Sequence, residues 1–200
     1  MSDATLQSLA QNVIEAYQTP RLSVRRIMSV GLSLQDGLLM VVAAFAIQAF
    51  TGELGSLLLS GVVGPRLGQR IAELAVQAAI FLMLAWGVHA IGRRFGGEGS
   101  KDECMAAVAW HLFATAFLAP FMLIGMNALT PDGSAPGILF FLAPLCVVVS
   151  VWMFASMVAE AHGFERLAPV VFATIIGFFI SGLVAFILLD VVSGGPPGGS

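Results

Sequence analysis

Long stretches of this chain carry no formal charge, and that feature limits its fold more than any other. No charged side chain interrupts Cys104 to Leu129 or Gly137 to Ala159, and Val170 to Leu189 is uncharged up to Asp190. A hydrocarbon core about 30 Å thick is crossed by about 20 helical residues. Each of these runs reaches that length and is too uniformly apolar for the exposed helix of a soluble protein. Two weaker runs precede them: Leu34 to Phe50, diluted by Gln35, Asp36 and Gln48, and Leu74 to Ala90, diluted by Gln77 and His89. The expected fold class is all-α: an integral membrane bundle of five transmembrane helices with an amphipathic helix at its N-terminus.

Composition agrees. Apolar residues make up 58% of the 200 and charged residues 10%, where an ordinary soluble domain carries about 25% charge. With a mean hydropathy of +0.93, a water-soluble globule is excluded. The net charge of −3 and the absence of a long basic block leave no nucleic-acid footprint. Cys104 and Cys146 are far apart and form no Cys-x-x-Cys pair, so neither a disulfide scaffold nor structural zinc is indicated. The first apolar residues are mixed with Gln7, Gln11, Asn12 and Glu15 and are followed by basic ones, unlike a cleavable signal peptide.

The expected organisation is an amphipathic cytoplasmic region over 1–30, the five-span domain over 31–190, and a flexible Gly/Pro tail over 191–200. The spans are placed at 34–50, 74–90, 104–129, 137–159 and 170–189. Between the first two, Leu54 to Pro65 is apolar but too short to cross. It reads as a connector, an interfacial or re-entrant segment, or a short buried helix. Basic residues fix orientation. With the N-terminus cytoplasmic, that side holds Arg21, Arg25, Arg26, Arg93, Arg94, Lys101 and Arg166, against Arg66 and Arg70 on the other. Five spans then put the C-terminus outside.

Over residues 3–18, Leu6, Leu9, Ala10, Val13, Ile14 and Tyr17 recur at spacings of three and four, opposite a polar face. Ser2 or Asp3 can cap this helix; Pro20 stops it and can open a second. In the second helix Arg21 and Arg25 align, with Arg26 beside them. Near anionic headgroups each such residue contributes about 1 kcal/mol. Arg93, Arg94 and Lys101 form another cluster in the glycine-rich loop 91–103. This is no phosphate-binding loop, since the order is Ser100-Lys101 and no strand precedes it. Ser100 with Glu103 instead reads as a capping box. These six basic residues are the candidate contacts with anionic lipid or with a membrane-protein partner.

His89, His111, Glu160 and His162 are the candidate polar rim at the cytoplasmic end. They show no metal-ligand spacing such as His-Glu-x-x-His, so no metal and no cofactor is expected. Ser150, Ser156 and Ser181 lack the surroundings of an activated nucleophile, and no catalytic residue is assigned. Pro120, Gly125, Pro144, Gly177 and Gly182 interrupt the spans, which serves either helix packing or a transport path. Small residues at Ala155, Ser156 and Ala159, and at Gly177 and Ser181, allow close helix contact within one chain or between copies in a homo-oligomer.

The ordered set of short segments resembles the bacterial branch of the Yip-domain membrane proteins over about residues 10 to 190. It comprises Tyr17-Gln18-Thr19-Pro20-Arg21 before Arg25-Arg26, the stretch from His89 to Ser100, Ala109-Trp110-His111, and the stretch from Met157 to Phe164. The resemblance implies a five-span helical fold with a cytoplasmic N-terminus in a bacterial inner membrane. Eukaryotic members associate with Rab GTPases in membrane trafficking. Of their Asp-Leu-Tyr-Gly-Pro-like stretch, Tyr17 and Pro20 remain here. The expected function is a non-enzymatic scaffold that organises membrane or binds protein and lipid; the alternative is a small transporter or channel-like protein.

Overall fold

The computed structural model describes residues 3–60, 67–128 and 137–193. Among them every regular element is helical, and no strand occurs. Helix α1 (Asp3–Gln18) and helix α2 (Pro20–Val30) form a hairpin about Thr19, with Pro20 in the first turn of α2 and Gly31 ending it at φ 71°. A left-handed residue at this position suits glycine, which lacks the Cβ that would clash. Helix α3 (Leu34–Ser60) opens on a reciprocal cap: the Ser33 backbone N–H donates to Asp36 Oδ2 at 3.0 Å and the Asp36 N–H to Ser33 Oγ at 3.2 Å. Asp36 therefore serves the start of a span rather than interrupting one.

Helices α4 (Leu67–Arg94), α5 (Lys101–Ala116), α6 (Ala119–Ala128), α7 (Leu142–His162) and α8 (Leu167–Ser193) follow, with a 3₁₀ turn at Gly137–Phe141 before α7. Four stretches are long and apolar enough to cross a membrane: Leu34–Leu54, Ile71–Arg94, Leu139–His162 and Leu167–Val184. A fifth crossing results if α5 and α6, bent by 56° where they meet, act as one.

Two boundaries differ from the sequence expectation. The first helix runs on to Ser60, so Leu54–Ser60 is its last part and not a connector; 61–66 lie outside the described residues. Glycines at 52 and 55 do not stop it, since glycine keeps its backbone hydrogen bond, and Thr51 bonds back to Ile47 O at 2.7 Å. The expected third span is two helices, because Pro120 has no N–H to offer the carbonyl of Ala116. Pro144, by contrast, lies in the first turn of α7, where its missing N–H costs nothing. The expected tail over 191–200 lies outside the described residues from 194 onward.

Helix α5 is the centre. Residues Cys104 to His111 are all buried, packed by α3, α4, α7 and α2. Alanines at 106, 107 and 109 let those neighbours approach closely. One side of the core joins Val41, Phe81, Val108, Phe154, Val158 and Val170. The other joins Ala16 and Val24 of the hairpin to Ala107, Trp110, Met153 and Met157. The hairpin thus contributes to the bundle core. Polar groups pin it there: Trp110 Nε1–H donates to Ser23 Oγ at 2.8 Å, Ser23 Oγ–H donates to Asn12 O at 3.0 Å, and the Tyr17 hydroxyl donates to Ala114 O at 2.5 Å.

Apolar side chains instead cover the outside of α3, α4 and α8, including Leu39, Val42, Leu82, Phe172, Phe179 and Phe186. Within the four apolar windows only 11% to 33% of residues are buried. In water such a surface would aggregate; hydrocarbon accommodates it.

Candidate functional site

Short connections at 31–33, 95–100 and 163–166 gather at one end of the bundle, which also holds the six candidate basic residues. Its architecture is organised around His162. This last residue of α7 is 2% exposed and its ring stacks on Phe164, centroids 5.4 Å apart. Its Nε2–H donates to Val88 O at 3.0 Å and lies 3.4 Å from Cys104 Sγ. A carbonyl only accepts, so the proton belongs on Nε2, leaving Nδ1 as a bare buried nitrogen with no hydrogen-bond partner among the described residues.

Three glycines of the 91–103 stretch make room for this ring and its backbone. A Cβ at Gly92 would overlap His162 Nε2, one at Gly97 would lie 2.6 Å from His162 Nδ1, and one at Gly99 2.5 Å from Ala161 O. Backbone bonds fasten the loop: Gly97 N–H to Gly92 O at 2.9 Å, Gly96 N–H to Arg93 O at 3.2 Å, and Glu98 N–H to His162 O at 3.2 Å. His89 Nδ1 donates to Gly99 O at 3.2 Å, and the Ser100–Glu103 capping box is formed as the sequence indicates. These bonds leave the tip Arg93-Arg94-Phe95-Gly96 exposed, with Gly96 at φ 83°.

The candidate basic residues separate into two kinds. Arg21 donates to Phe164 O at 3.1 Å, Arg25 pairs with Glu160 at 2.6 Å, and Arg26 pairs with Glu15 at 2.7 Å. These three tie the hairpin to itself and to the end of α7. Their side chains stay 65% exposed at Arg25 and 61% at Arg26, so each pair contributes only about 0.2–1 kcal/mol. Arg93, Arg94 and Lys101 are exposed, and their side chains have no ion-pair or hydrogen-bond partner among the described residues.

The candidate polar rim is only partly assembled. His89, Glu160 and His162 belong to this end. His111 does not: it sits ten residues along α5, about 15 Å deeper, with Nε2 3.4 Å from Ser150 Oγ and its ring edge-on to Phe154. Among the described residues no group of three His, Cys, Asp or Glu side chains is placed to hold a metal ion. Outside the spans, Tyr17 carries a large electrostatic shift: burial pushes its hydroxyl up to about 12. The sequence reading missed the His162 cradle, the Trp110–Ser23 bond and the exposure of Phe95. For the cradle a signal existed in the 92, 97 and 99 spacing, which alone indicates a turn but not what it encloses.

No protein-family model, curated protein or solved structure matches this chain.

Proposed function

We propose that this is a non-enzymatic integral membrane protein of the Yip-domain type, crossing a bacterial inner membrane five times with its basic end in the cytoplasm. It serves there as a scaffold for other components of the membrane. The observation that carries the reading is the contrast between the two ends of its chemistry: an apolar exterior along the helices, and Arg93, Arg94 and Lys101 held out unpaired at one end. Arg21, Arg25 and Arg26, by contrast, have partners within the fold.

Alkaline carbonate extraction of native membranes, followed by in-membrane crosslinking and mass spectrometry, tests it. The comparison is between wild type and Arg93→Gln/Arg94→Gln/Lys101→Gln. The expected result is a chain that resists extraction and specific crosslinks that disappear in the variant. Extraction by carbonate, or an unchanged crosslinking pattern, overturns the proposal. A second reading, a small-solute transporter, draws on the 56° break between α5 and α6, since broken helices expose free backbone groups to a substrate. Solute flux into reconstituted vesicles supports it; flux no greater than in empty vesicles counts against it.

A further inference from the structure

We propose that the Arg93-Arg94-Phe95 turn is a binding site for anionic phospholipid, its two guanidinium groups on the lipid phosphate and its phenyl ring inserted among the headgroups. This rests on reading the apolar helices as membrane spans and names the ligand of the free basic residues.

Depth supports it first. Arg93 and Arg94 close the apolar stretch Ile71–Arg94, so in a bilayer they lie where hydrocarbon gives way to headgroups. Trp86, 70% exposed on the same helix, is seven residues earlier, about 10 Å along the axis. Tryptophan favours the interfacial region, and arginine at the end of a span extends its long side chain outward to the headgroups, which sets the two arginines at phosphate level.

The second argument is the ring of Phe95. At 76% exposure it is among the most exposed large apolar side chains described, and it directly follows two unpaired cations. A floppy loop would tuck such a ring away. Here Gly97 N–H to Gly92 O, Glu98 N–H to His162 O and His89 to Gly99 O hold the turn from both sides, and the ring is presented outward. Ile91, one helical turn before Phe95, is also exposed and extends the apolar strip. An apolar strip edged by arginines matches a layer of acyl chains edged by phosphates. Guanidinium binds phosphate through two parallel hydrogen bonds, and an anionic headgroup keeps the net charge that zwitterionic lipid cancels.

Two measurements on the full chain test the site. In the first, purified protein in mild detergent receives equal phosphatidylglycerol and phosphatidylcholine, and retained lipid is counted by native mass spectrometry. For Arg93→Gln/Arg94→Gln, phosphatidylglycerol retention should fall by roughly tenfold or more, as two basic residues at a membrane surface predict, with phosphatidylcholine unchanged. Equal retention by wild type and variant overturns the proposal. So does displacement of phosphatidylglycerol by inorganic phosphate, which would make the ligand a soluble anion.

In the second, Phe95→Cys is spin-labelled in phosphatidylglycerol bilayers. Cys104 and Cys146 are buried, so the label goes to the new thiol. Relaxation by dissolved oxygen should exceed relaxation by a water-soluble nickel chelate. The reverse order overturns insertion, as does a label immobilised only in native membranes, which would indicate a protein partner. Crosslinks unchanged in the triple variant, with phosphatidylglycerol retention lost in Arg93→Gln/Arg94→Gln, would sink the scaffold reading alone.

Discussion

Replacing Gly92 by alanine adds one methyl group and should destabilise the bundle more than most substitutions on its surface. The new Cβ would overlap the His162 ring at Nε2 and lie 2.6 Å from Cδ2. The ring cannot simply swing away, for it is held between Phe164, Cys104 and the loop backbone at Gly97 and Gly99. Overpacking of this kind costs about 1–3 kcal/mol. Displacing the ring also gives up the bond to Val88 O, and an unmade buried hydrogen bond costs about 1–3 kcal/mol. Against this, alanine is better than glycine inside a helix by about 1 kcal/mol. The net expectation is about 1–5 kcal/mol, which for a chain of this size lowers Tm by roughly 2–20 °C. A thiol-reactive dye in detergent reads the transition directly, because Cys104 and Cys146 are buried until the chain opens and Cys104 touches the ring. Gly87→Ala is the control, as its Cβ would meet nothing within 4 Å on the same helix. Removing the obstacle should restore stability: Gly92→Ala/His162→Ala is expected to be more stable than the sum of its single changes predicts, with coupling on the order of 1–3 kcal/mol. A Tm for Gly92→Ala no lower than that of Gly87→Ala, or strict additivity in the cycle, would refute the cradle as the reason for the glycines.

Three further outcomes follow from the hairpin. Ser23→Ala leaves the buried Trp110 Nε1–H without its acceptor and should cost about 1–3 kcal/mol, seen as a lower Tm and an altered tryptophan emission maximum. Tyr17 holds its proton up to about 12 in the fold against an ordinary 10, so its contribution is complete below pH 10 and is lost as pH rises from there towards 12. Tyr17→Phe should therefore flatten the alkaline fall of Tm while lowering it at neutral pH; an unchanged alkaline limb would contradict this. Arg25→Glu sets a like charge against Glu160 and should lower Tm by a few degrees, and Arg25→Glu/Glu160→Arg should recover most of the loss. A loss and recovery that do not shrink in high salt would show that the pair is not acting through charge.

Local signals in the sequence carried the helix ends well. Pro20 opens α2, and Ser100 with Glu103 caps α5, because each depends on neighbours within four residues. The apolar runs located the long helices for the same reason. Ser60 as the end of α3 and the break at 117–118 were less legible, since glycine weakens a helix without ending it and proline acts one turn before its own position. Glycines 92, 97 and 99 announced a turn, but the ring they enclose comes from a residue some sixty positions later, and no periodicity links the two.

Helix α5 shows where hydropathy stops discriminating. Its uncharged run from Cys104 looks in sequence like the lipid-facing helices, yet in the fold Cys104 to His111 touch protein on every side while α8 presents Phe172, Phe179 and Phe186 outward. Apolar composition reports removal from water, and hydrocarbon and protein remove it equally well. What separates the two is the partner. Around α5 the partners include a hairpin whose outer face carries Arg25 and Arg26, and which is bonded inward through Tyr17, Ser23 and Trp110. A polar-faced cover over one flank of α5 and α7 sets that flank apart from the apolar exterior of α3, α4 and α8. At the same end the backbone bonds of Gly97, Glu98 and Gly99 hold the turn over the His162 cradle, and they are what keeps Phe95 exposed.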